Sequence, residues 1–486
     1  MLSFRRFPIR ATLLTALAAL AFGIGLAHSA SAQTTVSVVK YPYLLWVTET
    51  EATVMWETDS AVAAAVTFTP ATGTPTVVNV PATDTVEQAK ATSLSRGTRY
   101  TYSVDIPGKH LGDGAFTTDD RTATKVTFGV IGDNRTKPDN FLNLNTRMMR
   151  RNPELIVNVG DVVTSGPIVS QWNTEFFTPS KDVFRYAPCY VSIGNHEANT
   201  PLFRRFLPYP ETITGNPVES RGHYFAHYRG NCAFVAFDDY YSLSPGSPQY
   251  VWLQQTLSSP AFQSATWKFA YCHEPAYSDG WPGYDGTPAV RDYIVPLLEK
   301  AGVDAFFNGH THSYERAIVN NVVHMINGGG GAGDESWGRN WPQTVKYGLI
   351  LQYSTVQVDG DKMTVTCYDD SNKVFDRLTL QKGAARTLPG APVFVRPPVS
   401  GRTGRQMVTL KYPSGSGQRY RYRVAIKERT TEDGFWEPTI VMFDPTVPIS
   451  LPVDFKTPGT YHVMAQALDA QYLASGWVES GPITIQ

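Results

Sequence analysis

Five short segments of this 486-residue chain carry side chains able to hold metal ions. In order they are Gly132-Asp133, Gly160-Asp161, Gly194-Asn195-His196-Glu197, the isolated His273, and Gly309-His310-Thr311-His312. Each follows an apolar run. Singly they carry little information. Together they supply carboxylate, amide-oxygen and imidazole ligands for two metal ions a few ångströms apart, an arrangement that hydrolyses phosphate esters.

The elements that must position these groups are legible as buried strands. Val126–Ile131, Leu155–Val159, Cys189–Ile193 and Ala305–Phe307 are continuous apolar runs, which fit central strands buried on both faces. Segments 141–151 and 288–300 are expected as helices between them. The ligands then fall on loops just beyond strand ends, where open α/β sheets place their sites. The glycine before each ligand lets the chain turn sharply close to a metal. His310 and His312 are two apart and would face opposite ways in an extended segment, so a tight loop must bring both inward.

The flanks read differently. Residues 37–118 look like a small all-β module: Leu44–Val47 and Ala52–Trp56 are separated by Thr48-Glu49-Thr50-Glu51, and Tyr100, Tyr102 and Val104 alternate after the turn at Arg96-Gly97-Thr98. A sandwich of roughly seven strands is expected there. A linker around Gly383–Pro392 precedes a further module over 393–486. In it Tyr420, Tyr422 and Val424 alternate, as do Tyr461, Val463 and Ala465, which suggests a second β-sandwich. Trp436 and Trp477 are candidates for sugar or partner contact, with ordinary packing as the simpler role.

Length and charge bound the rest. A chain of 486 residues exceeds one usual hydrophobic core, so two or three domains are expected. A formal net charge of −1 offers no field for polymeric nucleic acid and none for an anionic membrane surface. Arg5, Arg6 and Arg10, the apolar stretch Ala11–Ala27 and the small residues Ala30-Ser31-Ala32 have the layout of a signal peptide over residues 1–32. Export to a periplasmic or extracellular location follows, with no later span long enough to cross a bilayer. The four cysteines, Cys189, Cys232, Cys272 and Cys367, form no zinc knuckle or Cys-x-x-Cys motif. They either pair in part or pack as small apolar residues.

Residues 125–382 resemble the calcineurin-like metallophosphoesterases, and more closely their purple acid phosphatase branch. The closer likeness rests on Gly309-His310-Thr311-His312-Ser313-Tyr314-Glu315-Arg316, with support from Gly328–Gly331 and Tyr347-Gly348. Through Val47-Thr48-Glu49-Thr50 and Thr53-Val54-Met55-Trp56-Glu57-Thr58 the front module resembles the fibronectin-like domain of that branch. The resemblance implies an α/β fold: a central metallophosphoesterase β-sandwich flanked by helices, with the two β modules at either end.

Carried over by motif, Asp133, the bridging Asp161 and His312 would hold a first metal, and Asp161, Asn195, His273 and His310 a second. A carboxylate between two cations offsets their repulsion, and neutral imidazoles with an amide oxygen complete the spheres without excess negative charge. Two departures stand out. The iron-binding tyrosine of the branch is replaced by Thr164, and the histidine that many superfamily members carry two residues beyond the first aspartate is replaced by Arg135. Two divalent ions, Mn²⁺, Zn²⁺ or Fe²⁺, are therefore expected in place of a purple Fe³⁺ centre.

The resemblance also implies in-line attack by a water acidified by both metals. His196 would contact phosphate or protonate the leaving group. Arg135 would bind a phosphoryl oxygen or fix its loop by a salt bridge, and Asn134 would orient substrate or water. Glu197 is expected to support its loop. Trp281 and Tyr284, shortly after His273, would rim the pocket of a small phosphate ester, and His223 and His227 are weaker candidates for it. Monoester, diester and nucleotide-like substrates all remain open, with a non-catalytic binding protein as the alternative.

Overall fold

Among the described residues, thirteen strands between Lys125 and Gln381 build two sheets that hold the main core between them. The computed structural model describes residues 36–210, 222–333, 335, 344–383, 389–411, 420–428, 441–443, 447–468, 475–476 and 478–486. The expected leader over 1–32, Trp436 and Trp477 lie outside these residues.

Ahead of the core come β1 (Val38–Val47), β2 (Ala52–Thr58), β3 (Ala64–Pro70), β4 (Thr76–Val80), β5 (Val86–Ala91), β6 (Arg99–Ile106) and β7 (Lys109–Thr117). They form a three-stranded sheet, β1-β2-β5, and a four-stranded sheet, β4-β3-β6-β7, with every pairing antiparallel. Tyr100, Tyr102 and Val104 point inward along β6, as their alternation requires.

The first core sheet contains β8 (Lys125–Ile131), β9 (Leu155–Asn158), β10 (Cys189–Val191), β18 (Gln352–Asp359), β19 (Lys362–Asp369) and β20 (Val374–Gln381), in the order β10-β9-β8-β18-β19-β20. The second contains β11 (Phe225–Arg229), β12 (Cys232–Ala236), β13 (Trp267–Tyr271), β14 (Ala305–Asn308), β15 (Tyr314–Val319), β16 (Val322–Asn327) and β17 (Thr344–Gly348), in the order β11-β12-β13-β14-β16-β15-β17. Strands β8, β9 and β10 run parallel to one another, as do β12, β13, β14 and β16. These are the strands whose sequences are nearly all apolar, because both faces are covered. Phe128 of β8 meets Phe234 of β12 and Phe269 of β13 at ring distances of 5.0 Å, joining the sheets through an aromatic seam.

The first expected helix starts earlier than its periodicity suggests, at Pro138, and runs to Met149. Proline fits a first helical turn, and Asp139 and Arg147 lie at the ends that favour their charges. The second is a π-helical turn, Val290–Ile294, continuing as Val295–Ala301 and closed by Gly302 at φ 71°.

Further along the chain, β21 (Val393–Arg396), β22 (Gly404–Lys411) and β25 (Ile449–Phe455) form one sheet. A second contains β23 (Tyr420–Glu428), β24 (Val441–Phe443), β26 (Gly459–Leu468) and β27 (Val478–Ile485). Tyr461, Val463 and Ala465 are buried along β26. All four cysteines are buried free thiols, so they serve as small apolar residues.

The front strands seat against the helix Pro201–Phe206, which follows the Asn195-His196 loop. Lys40 is buried, paired with Glu57, and its Nζ lies 3.7 Å from the Phe206 ring centre. Tyr43 donates to the Phe206 carbonyl at 2.6 Å, and Arg205 grips Asp84 at 2.6 and 2.9 Å.

One buried group gives the core a pH dependence. His324 on β16 is 5% exposed, and neither ring nitrogen has a hydrogen-bond partner among the described residues. It packs edge-on against Tyr277 and Phe306. Burial drives its pKa down to about 3, whereas an unfolded histidine titrates near about 6.5. Below that value the unfolded chain takes up a proton that the fold refuses. Stability should therefore fall as pH drops from about 6.5 towards 3, by at most about 1.4 kcal/mol per unit. His324→Leu should flatten this limb in urea unfolding between pH 7 and 4, and an unchanged slope would contradict the assignment.

Candidate metal centre

Every predicted ligand sits just past the C-terminal end of a parallel strand: Asp133 after β8, Asp161 after β9, Asn195 after β10, His273 after β13, and His310 and His312 after β14. The loops are tightly folded. Asp133 and Asp161 both have φ 54°, and His310 has φ 72°. In all three cases the left-handed residue is thus the predicted ligand itself, while the glycines before the ligands are needed for room. A Cβ at Gly309 would lie 2.2 Å from Asp133 Oδ2, and one at Gly194 would lie 2.3 Å from Asp161 Oδ1. Only Gly160 combines both demands, at φ 97° and 2.7 Å from His273 Nδ1.

Asp133, Asp161 and His273 have donor atoms within 4.8 Å of one another. His273 Nε2 lies 3.1 Å from Asn195 Oδ1, 3.4 Å from Asp161 Oδ1 and 4.0 Å from Asp133 Oδ1. The rings of His273 and His310 are 5.2 Å apart. On the other side, His312 Nε2 is 3.9 Å from Asp133 Oδ1. Ligands bound at about 2.0–2.2 Å to one small cation stand roughly 3–4 Å from each other, so the donor set fits divalent metals.

The backbone holds the imidazoles in the right sense. His273 Nδ1 donates to the Val159 carbonyl at 2.8 Å and His312 Nδ1 to that of Gly333 at 2.6 Å, turning each Nε2 inward. Burial lowers His310 and His312 to about 4, leaving both neutral with one unprotonated ring nitrogen each. Burial works against a charged His273, but Asp161 and Asp133 push its pKa well above the ordinary value. The two carboxylates thus draw positive charge to this position. Burial raises the Asp133 carboxyl well above the usual range. Burial opposes ionisation of Asp161 too, yet His273 and His196 hold it below that range.

Glu197 lies beneath the predicted ligands as a clamp. Its Oε2 accepts from Asp161 N at 3.0 Å and Gly194 N at 2.7 Å, and its Oε1 from Val162 N at 2.9 Å and Val163 N at 3.3 Å. Burial and the charge of Asp161 raise its carboxyl to about 7, while these N–H groups pull it back.

The three candidate catalytic residues are placed differently. His196 is part-exposed, its Nδ1 donates to the Thr164 carbonyl at 2.7 Å, and its Nε2 is 3.8 Å from Asp161 Oδ2. Arg135 donates through Nε to Asp161 Oδ2 at 3.3 Å and through Nη2 to His312 Nε2 at 3.2 Å. Asn134 is fully buried; it donates to the Val162 carbonyl at 3.2 Å and accepts from Asn158 at 2.9 Å. Those two bonds tie the Asp133 loop to β9 and to the Asp161 loop.

Trp281 and Tyr284 stack on each other at 4.7 Å and both meet the His310 ring edgewise, at 5.2 and 5.3 Å. His223 and His227 are not brought to the ligands. The first pairs with Asp238 at 2.7 Å, and the second is stacked in the core between Tyr190 and Phe234. Three contributors carry no sequence motif. Glu175, from the π-helical turn Trp172–Phe177, accepts from Thr164 N and Thr136 N. Glu335 lies 3.3 Å from His312 Nδ1, and Tyr240 donates to Asn195 Oδ1 at 3.4 Å.

The family comparison agrees with this geometry. A calcineurin-like phosphoesterase family model matches residues 126–314, the span that carries all of the predicted ligands. This segment is a calcineurin-like phosphoesterase domain. The chain is 26% identical over 270 residues to a protein named probable inactive purple acid phosphatase 27 of Arabidopsis thaliana, covering 48% of this chain and 42% of that one. It is 24% identical over 215 residues to a nucleotide pyrophosphatase/phosphodiesterase of Hordeum vulgare, covering 37% and 58%. The chain thus spans about half the length of these relatives. The structure of purple acid phosphatase PPD1 from yellow lupin (Lupinus luteus) seeds shares the fold, with a TM-score of 0.59 at 17% identity over 70% of this chain and 74% of that one.

The Glu197 clamp is open to test in this phosphoesterase domain. Glu197→Gln leaves one carbonyl oxygen for several N–H donors, so metal affinity should fall about 10–100-fold. Calorimetric titration of the metal-free protein reads this, with circular dichroism to check the fold. An unchanged affinity would mean that the loops hold themselves.

Proposed function

We propose that this chain is an exported, metal-dependent phosphoric ester hydrolase acting on a small phosphate ester. The observation that carries the proposal is the convergence of Asp133, Asp161, Asn195, His273, His310 and His312 at the ends of parallel strands, with a part-exposed His196 at their edge. Two divalent cations bound there would supply Lewis acidity at the phosphoryl oxygens and lower the pKa of an attacking water. Oxygen and nitrogen donors without a phenolate or thiolate suit Mn²⁺, Zn²⁺ or Fe²⁺.

The chain's own groups do the rest. The Thr164 carbonyl fixes the proton of His196 on Nδ1 and directs Nε2 towards the centre. From there Nε2, when protonated, gives a proton to the departing alkoxide, and otherwise it orients the phosphoryl group. No serine or cysteine nucleophile lies among the ligands, so transfer is direct and in line. The resemblance further supports reading residues 37–118 as a fibronectin-like module and 393–486 as a second β-sandwich, each flanking the catalytic segment.

A diester or nucleotide substrate is the second reading. It is favoured by the Trp281–Tyr284 pair beside His310, a platform for an aromatic leaving group. It is also favoured by the absence of any histidine between His273 and His310 to grip a monoester dianion. The Hordeum vulgare relative's name points the same way.

Comparison of para-nitrophenyl phosphate with its bis ester, using metal-loaded protein, tests both readings. Hydrolysis should vanish on Asp161→Asn and on His273→Ala, while His196→Ala should lower kcat by about 10²–10⁴-fold. Two-metal protein that cleaved neither ester would sink the hydrolase reading in favour of a binding protein on this scaffold.

A further inference from the structure

The two halves of the centre differ in what already occupies their donor atoms. At the second site Asn195, His273 and His310 face one another with no lysine or arginine bonded to them among the described residues. At the first site Arg135 bonds two of the three side chains, through the atoms that face inward. His312 has its Nδ1 committed to the Gly333 carbonyl, so its lone pair is on Nε2, and Arg135 Nη2 donates to that atom at 3.2 Å. Asp161 directs Oδ1 to His273 and to the His196 backbone N–H, which leaves Oδ2 for the first site. Arg135 Nε donates to it at 3.3 Å.

The guanidinium is held there from below. Its backbone N–H donates to the Asp161 carbonyl at 3.2 Å, and its Nη1 reaches Thr136 Oγ1 at 3.5 Å. Thr136 Oγ1 in turn lies 3.2 Å from Thr164 Oγ1, and the Glu175 carboxylate gathers Thr136 N at 3.2 Å, Thr164 N at 2.6 Å and Thr164 Oγ1 at 2.9 Å. Thr136 itself has φ 73°, a conformation that this set of bonds maintains. The loop is therefore built to present the guanidinium to Asp161 and His312.

We propose that Arg135 is an internal competitor for the first metal position, making the two sites unequal: the second binds a divalent cation tightly and the first only weakly. A cation entering the first site must take His312 Nε2 and Asp161 Oδ2 from the guanidinium, then remain beside a fixed positive charge. Glu175 is the positioning residue that keeps Arg135 in place. The inference rests on the dimetal reading of the centre, and its test does not use turnover.

Metal-free protein titrated with Zn²⁺ by calorimetry, then desalted and analysed for metal, reads the inequality. The wild type should retain one ion per chain, and Arg135→Ala and Arg135→His should retain two. Affinity at the weak site should rise about 10–100-fold on either change. Should Arg135→Ala fail to fold, Arg135→Gln preserves the shape without the charge. His312→Ala should leave the single tight ion in place, whereas His273→Ala should remove it. A wild type that retained two ions equally tightly, unchanged in the Arg135 variants, would overturn the proposal and leave the hydrolase reading intact. A wild type that retained no ion would overturn the dimetal reading, and the proposal with it.

Discussion

Three carboxylates, Asp133, Asp161 and Glu197, are buried within one cluster of loops, and the rest of the centre is organised around that constraint. Burying a charge without compensation costs far more than a loop can contribute. Glu197 is compensated by backbone N–H groups from the Asp161 and Gly194 loops. Asp161 is compensated by the His196 N–H, Arg135 and His273. Asp133 receives the His310 N–H at 3.0 and 3.1 Å and otherwise faces the imidazoles. The left-handed backbone at Asp133, Asp161 and His310 is what brings these N–H groups to the carboxylates.

Four of the candidate ligands, Asp133, Asp161, Asn195 and His310, are announced locally by an apolar strand and a glycine, whereas His273 follows its strand with no glycine before it. Parallel pairing then puts the strand ends side by side, so a list in one dimension becomes a cluster in three. The Tyr314-Glu315-Arg316 segment was equally legible as a family mark, but its physical role needed the fold. Tyr314 and Arg316 both bind Asp376 of β20, at 2.9 and 2.6 Å, and so cross-link the two core sheets. Glu315 is buried, holds Ser278 and the Asp279 N–H, and anchors the loop that presents Trp281. Tyr314, Glu315 and Arg316 thus brace the site from behind the two histidines of the same segment.

What stayed hidden arises from contacts distant in sequence. Asn134 neighbours a ligand, yet only the β9 partner Asn158 shows which way its amide turns. Glu175 reaches Thr136 across many intervening residues from a helix whose π-turn alters which side chains face inward. His227 sits on β11, in the same sheet as the strands that lead to His273 and His310, but alternation along β11 sends it into the aromatic core. Its neighbour Trp46, from the front strands, stacks edge-on with Tyr190 of β10. The front module accordingly supports the strand and helix that flank the Asn195-His196 loop.

The two histidines of the Gly309–His312 turn show how differently one loop can hold two ligands. His312 is fixed by directed bonds, from Nδ1 to the Gly333 carbonyl and from its N–H to Glu335. His310 has no ring hydrogen bond among the described residues and is boxed instead by His273, Trp281 and Tyr284. A directed bond sets both ring orientation and tautomer, whereas aromatic packing sets orientation alone. His312 therefore presents a predetermined Nε2, which Arg135 takes up. His310 can settle its tautomer in response to whatever cation the second site receives. The same turn that delivers both rings to the centre thus makes one side rigid and contested and the other adaptable and free of guanidinium.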